Sequence, residues 1–245
     1  MKFYSMTDRG AVRTENQDCA FITEVRSRSC LAAVVCDGMG GAHGGKLASE
    51  LAVSGYMAEL RRSLFATSEK KPPLGPIMDK ACKAANSFVY GYSVANTESA
   101  GMGTTLVAVT IRGRNAEIIN VGDSRAYLIE RKSIRRITRD HSLVADMVER
   151  GDLTPEEAEH HPQKHLITRA VGVDPEVEAD HFSVTLRLGS KLLLCSDGLS
   201  NALTEQELLS LCLESRNPDR ICRRLISSAL EHGASDNITA AVMQA

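Results

Sequence analysis

The chain has 245 residues, of which 43% are hydrophobic and 24% charged, with a formal net charge of -2 at pH 7. This balance fits a globular domain and gives no footing for nucleic acid or a membrane surface as the main partner. The first residues include Asp8, Glu15 and Asp18 and lack the apolar stretch of a signal peptide, and the longest apolar runs, such as 31–36, are strand-sized, so no membrane span is expected.

Seven cysteines, an odd number with no C-x-x-C pair, sit mostly in apolar contexts, which reads as buried, reduced thiols and a cytoplasmic location. Along the chain, strands are expected at 20–25 and 30–36. A helical pattern over 44–64 follows, with Leu47, Leu51, Met57 and Leu60 on one face. The polar, proline-bearing stretch 67–76 separates it from a second helix over 77–97, carried by Met78, Ala81, Ala85 and Phe88. Strands are then expected at 104–112, 116–121, 125–130 and 132–137, and the polar stretch 140–172 reads as an excursion on the surface. Strands at 182–186 and 191–195 precede helices at 205–214 and 219–232, the first opened by a Thr204–Glu207 capping box, and a strand at 237–243 ends the chain. Hairpin-like spacing with paired helices implies one α+β domain over 1–245, in which two antiparallel sheets lie face to face with helices covering both.

The aspartates carry the chemical signal. Asp37 follows the apolar run 32–36, Asp123 follows 118–121, Asp197 follows 192–195 with one serine between, Asp236 leads into 238–242, and Asp18 precedes 19–22. A rigid sheet can aim such strand-end carboxylates at one place. Clustered carboxylates repel unless protons, basic groups or cations stand between them. An oxygen-only ligand set suits Mg²⁺ or Mn²⁺ better than zinc. Each Asp-Gly alone is equally a common turn.

The motifs Thr7-Asp8-Arg9-Gly10 with Arg13-Thr14-Glu15-Asn16-Gln17-Asp18, Val35-Cys36-Asp37-Gly38-Met39-Gly40-Gly41, Gly101-Met102-Gly103-Thr104-Thr105, Asn120-Val121-Gly122-Asp123-Ser124-Arg125, Thr138-Arg139-Asp140-His141, Leu166-Ile167-Thr168-Arg169-Ala170-Val171-Gly172, Cys195-Ser196-Asp197-Gly198-Leu199 and Ser235-Asp236-Asn237-Ile238-Thr239 resemble, in this order and spacing, the metal-dependent protein phosphatase family of type 2C in its compact bacterial form. The resemblance covers essentially the whole chain. It implies an α-β-β-α four-layer sandwich and hydrolysis of phosphoserine and phosphothreonine by water activated at a binuclear Mg²⁺ or Mn²⁺ centre. It further implies that Asp37 bridges two cations, that the Gly38 carbonyl joins one of them, and that Asp197 and Asp236 hold the other. By the same resemblance Asp18 lies near the first cation through water, Asp123 with Asp197 binds a third, weaker one, and Arg13 binds substrate phosphate.

Met39 stands where many eukaryotic members place a histidine proposed as general acid. His161 is the first candidate for that role, with His43 and His141 behind it. The segment 140–172 corresponds to the family's flap. Expected partners are phosphorylated proteins, including a cognate Ser/Thr kinase and its substrates, met by a monomer. Two other readings stand beside this one. Gly40-Gly41-Ala42-His43-Gly44-Gly45-Lys46 has the spacing of a nucleotide-binding P-loop, although Leu47 replaces its Ser or Thr. A catalytically decayed phosphoprotein-binding module would show lost ligands, and Asp37, Asp197 and Asp236 are all present.

Overall fold

The computed structural model describes residues 1–25, 28–66 and 71–245, and the side chains of Ala42 and His43 are outside that description. Residues 67–70 of the expected linker also lie outside it. The elements in chain order are β1 (Lys2–Asp8), β2 (Asp18–Val25), β3 (Cys30–Met39), α1 (Gly41–Ala66), α2 (Leu74–Ala95), β4 (Gly103–Thr104), β5 (Leu106–Arg112), β6 (Asn115–Val121), β7 (Arg125–Glu130), β8 (Ser133–Arg136), α3 (Leu143–Arg150), α4 (Pro155–Glu159), β9 (Asp180–Thr185), β10 (Lys191–Cys195), α5 (Asp197–Ala202), α6 (Glu205–Leu213), α7 (Pro218–Glu231) and β11 (Ile238–Gln244).

One sheet runs β1-β11-β10-β7-β8 and the other β2-β3-β5-β6-β9, with β4 against the end of β3. Every pairing is antiparallel. Three apolar layers bind the two sheets and their helices together, which makes the fold an α-β-β-α sandwich. Ala32, Val34 and Cys36 of β3 meet α1 and α2 through Tyr56, Leu60, Met78 and Ala85. Leu31, Ala33 and Val35, on the opposite face of the same strand, pack between the sheets with Leu192, Leu194, Ala241 and Met243. Leu193, Cys195, Ala240 and Val242 turn the other way, towards Leu208, Ile221 and Leu225 of α6 and α7. Covering both faces removes the polar alternation of a one-sided strand. Burying each large side chain here contributes about 1.5–3 kcal/mol. All seven cysteines are free thiols, and among the described residues no helix is long and apolar enough to cross a membrane.

Three features depart from the expectations. Lys2–Asp8 forms an edge strand paired only with β11, and its mixed exposure hides it in a hydropathy pattern. Asp197 opens a short helix where a turn was expected. The stretch 140–172 contains two helices, one begun by Ser142 and the other by a Thr154–Glu157 capping box with Pro155 in its first turn.

Both ends of that stretch are fixed. At its entry Arg125 grips Asp140 two-handed, with Nη2 to Oδ2 at 2.7 Å and Nε to Oδ1 at 3.1 Å. At its exit the buried Asn86 of α2 accepts a hydrogen bond from the Gly172 N–H at 2.7 Å and donates to the carbonyls of Asp174 and Pro175 at 3.0 and 3.1 Å. Gly172 has φ +89°, and a Cβ there would come within 2.1 Å of Val89. Replacing Asn86 by Ala leaves a buried N–H without an acceptor and is expected to cost about 1–3 kcal/mol. Urea unfolding should show a lower midpoint at unchanged slope. A midpoint equal to that of the parent protein would mean Asn86 is dispensable to the anchor.

Candidate functional site

At one end of the sandwich a cleft of about 1040 Å³ is lined by Arg13, Asp37, Gly38, Asp123, Asp197 and Asp236, among others. The sheets place these groups. Asp37 lies near the end of β3, in register opposite Asp18 on β2. Its main chain is fully engaged: the N–H donates to Thr105 Oγ1 at 2.9 Å, and the carbonyl accepts from the Thr105 N–H at 2.9 Å and from Thr104 Oγ1 at 2.8 Å. The carboxylate is left to face the cleft. Gly38 follows, and a Cβ there would stand 1.9 Å from the Gly45 carbonyl oxygen, so only glycine lets the first turn of α1 approach so closely. Gly45 therefore serves helix-to-strand packing, Gly40 and Gly44 face Met102, and Lys46 lies 3.8 Å from Glu15.

Asp197 begins α5 and accepts from Asn201 at 3.1 Å. Asp236 accepts from Arg13 Nη2 at 2.7 Å and from the Asn237 N–H at 2.8 Å. Asn237 ties the loop that carries Arg13 to β11: its Oδ1 accepts from the Gln17 N–H at 2.8 Å, and its Nδ2 donates to the Arg9 and Glu15 carbonyls at 2.8 and 2.9 Å. Asp18 is buried behind Asp37, where one oxygen accepts from Ser196 Oγ at 2.7 Å and Thr239 Oγ1 at 2.6 Å.

The electrostatics follow from crowding. Burial, joined by the charges of Asp18, Asp197, Asp123 and Asp236, raises the Asp37 pKa well above the carboxylate range. Burial is also the first cause for Asp18, raised to about 6, and for Asp123, raised to about 7, and it raises Asp197 as well. The Oδ1 atoms of Asp18 and Asp197 are buried with no hydrogen-bond partner. A site this short of positive charge, with acceptors left over, fits hard cations. Among the described residues no three His, Cys, Asp or Glu side chains close around a single point.

The structure brings Arg13, Asp37, Gly38, Asp123, Asp197 and Asp236 to the cleft, with Asp18 directly behind. It does not bring His161 there. Its Nδ1 accepts from the Gln163 N–H at 3.2 Å, and it is His165, one turn further on, that lines the cleft and bears on the Asp197 charge. The expected role of His161 loses its geometric basis: His161 and Pro162 open a turn closed by the Lys164 N–H on the His161 carbonyl at 3.1 Å, and the later histidine lines the cleft instead. Sequence reading also missed Thr105, Ser196 and Thr239. Their hydroxyls lie beside motif aspartates, but hydrogen-bonding roles across strands have no sequence signal.

The family profile for protein phosphatase 2C matches residues 9–234. The serine/threonine phosphatase stp of Listeria monocytogenes serotype 4b (strain F2365) is 36% identical over 240 residues, covering 97% of this chain and 93% of that one. The fold superposes on the S. agalactiae serine/threonine phosphatase with a TM-score of 0.91 at 33% identity, covering 100% of this chain and 99% of the other. It superposes on the catalytic domain of serine threonine protein phosphatase PstP, in complex with two manganese ions, with a TM-score of 0.84 at 34% identity over 98% and 96% of the two chains.

The carboxyls of Asp18 and Asp123 bind protons more tightly folded than unfolded. Their contribution to stability is full below the unfolded value of 3.8 and is lost as pH rises through about 6 and about 7. In EDTA the melting temperature is therefore expected to fall between pH 5 and pH 8, and added Mn²⁺ to raise it more at pH 8 than at pH 5. A melting temperature in EDTA that climbs over this range would contradict the electrostatics described here.

Proposed function

Because the chain belongs to the protein phosphatase 2C family, we propose that it is a protein serine/threonine phosphatase whose carboxylate cleft works with two divalent cations, Mg²⁺ or Mn²⁺. The observation that carries this reading is the convergence of Asp37, Asp197, Asp236 and Asp123 on one cleft beside an arginine, with Asp37 pushed strongly towards protonation by its neighbours.

Cations held there would supply a water of lowered pKa and neutralise charge on the phosphoryl oxygens. In this reading Asp37, the Gly38 carbonyl, Asp197 and Asp236 would hold the cations, with Asp37 shared between them, and Asp18 would support Asp37 from behind. Asp123, sharing the cleft with Asp197, is suited to a third and weaker ion. Arg13 stands on the rim with half its side chain exposed and its fork directed at Asp236. An arriving phosphate monoester meets a planar donor there, which favours bidentate binding. Asp236 keeps the guanidinium aimed into the cleft before substrate arrives. Hydrolysis then requires the dianion to be oriented for in-line attack, which Arg13 on one side and the carboxylate wall on the other accomplish.

The segment 140–172 serves as a flap within a single catalytic domain over 1–245. His165 and Ile167 line the cleft from this segment, so its sequence bears on which phosphoproteins enter. His165, with its ring at the cleft, is better placed than His161 to protonate a leaving serine or threonine oxygen. Phosphorylated proteins are the substrates, with a Ser/Thr kinase and its targets as the natural opposing pair.

Asp37→Asn is expected to reduce turnover of a phosphothreonine peptide by about 10³-fold, as loss of a principal electrostatic element does. It is also expected to weaken Mn²⁺ binding measured by calorimetry. Mn²⁺ binding unchanged in that variant would remove Asp37 from the centre, and phosphate release by the parent protein that persists in EDTA would remove the metal reading altogether. Arg13→Ala is expected to raise KM for phosphopeptides more than it lowers kcat. A loss confined to kcat would instead place Arg13 in the transition state alone.

A further inference from the structure

We propose that His141 is a positioning residue: it holds the turn that carries Asp123, and through Asp123 it sets the affinity of the weakest cation position in the cleft. The inference rests on the role given to Asp123 above.

The peptide preceding Asp123 is clamped on both sides. The Gly122 N–H donates to His141 Nδ1 at 3.1 Å. The His141 N–H donates back to the Gly122 carbonyl at 3.0 Å. Asn120 Nδ2 donates to that same carbonyl at 3.0 Å and to the Arg139 carbonyl at 2.9 Å. Gly122 has φ +98°, and a Cβ there would lie 2.7 Å from the Thr105 side chain, whose hydroxyl receives the Asp37 N–H. The turn is thus pressed against Thr105, the residue that holds the Asp37 main chain, and has little freedom of its own.

A backbone N–H can only donate. Nδ1 of His141 therefore carries no proton, and in the neutral ring the proton resides on Nε2. That nitrogen lies 3.2 Å from Asp180 Oδ2, and Arg169 Nη1 lies 2.9 Å from the other oxygen of the same carboxylate. Asp180 thus selects the tautomer that leaves Nδ1 available to Gly122, as a carboxylate beyond a ligating histidine does in metal sites. Burial also favours the neutral ring over the charged one.

The same residue joins the flap to this turn. His141 follows Asp140, where the segment leaves the sheet, and its carbonyl accepts from the Thr168 N–H at 2.8 Å, where the segment returns. Arg169 is next in the chain and closes the loop onto Asp180. Among the described residues the His141 ring also lies 3.3 Å from Arg169 Nη1 through Nε2, and only its contact with Gly122 leads towards the cleft, which its side chain does not line. Its influence on the chemistry passes through Asp123.

Two substitutions separate the contacts. In His141→Asn the amide oxygen falls near the place of Nδ1, so the Gly122 bond is kept and the Asp180 bond lost. In His141→Gln the amide reaches the place of Nε2 and the Gly122 bond is lost. Mn²⁺ binding to the full chain, followed through the free-ion signal in electron paramagnetic resonance, is expected to weaken at its weakest site by about five-fold in His141→Gln. His141→Asn should stay within about two-fold of the parent. In an Asp123→Ala background neither substitution should change Mn²⁺ binding or the Mn²⁺ dependence of phosphopeptide hydrolysis. If His141→Gln weakens Mn²⁺ binding equally with and without Asp123, His141 acts as general scaffolding and the inference fails while the role of Asp123 stands. If Asp123→Ala alone binds Mn²⁺ like the parent protein, the role of Asp123 fails, and the route through it fails with it.

Discussion

The structure depends on holding several carboxylates closer together than their charges favour. Asp37, Asp197, Asp123 and Asp18 all have pKa values raised by burial and by neighbouring carboxylates, and Arg13 on the rim is bonded to Asp236. Such an arrangement persists only if the surrounding structure is rigid enough to bear the repulsion. The sandwich provides that rigidity in its three apolar layers, and the aspartates sit where those layers end.

The main chain bears most of the cost. Asp37 has its N–H and carbonyl tied to Thr104 and Thr105, and Asp18 is held by hydroxyls from Ser196 and Thr239, which come from the other sheet. The Asp18 bonds cross from one sheet to the other, so a shift of either sheet relative to its partner would break them. The unpaired Oδ1 atoms of Asp18 and Asp197 are then intelligible as acceptors reserved for a ligand rather than as errors of packing. Stability given up at this end of the molecule is returned when cations bind, since anything that binds the folded state alone stabilises it.

Much of this was legible in the sequence. Apolar runs located β3, β6, β7, β10 and β11, and the aspartates at their ends were visible as strand-end residues before any geometry was known. The edge strand β1 was not, because Lys2, Tyr4, Ser5 and Asp8 give it no clean alternation and it gains order only from pairing with β11. The helix at Asp197 was hidden because Ser-Asp-Gly reads as a turn when the N-cap role of Ser196 is not yet known. The histidine nearest the chemistry was misjudged for a related reason. His161 and His165 stand at opposite ends of a proline-containing turn, and only the second lines the cleft. Periodicity and propensity carry no information of that kind.

The assignment of the cleft gains weight from how its parts are distributed. Arg13, Asp18 and Asp37 come from the start of the chain, Asp123 from the middle, and Asp197 and Asp236 from the end. Asn237, beside Asp236, fastens the loop of Arg13 with three hydrogen bonds, while β1 pairs along its whole length with β11. The cleft therefore exists only when the two termini have met within one sheet and that sheet has docked on the other. No fragment of the chain contains it. Carboxylates that merely ended turns would need no such meeting, and selection for stability alone would have dispersed them across the surface, where water screens their charge. Their collection along one cleft, at a cost in electrostatic energy, is accounted for by a ligand that carries concentrated positive charge.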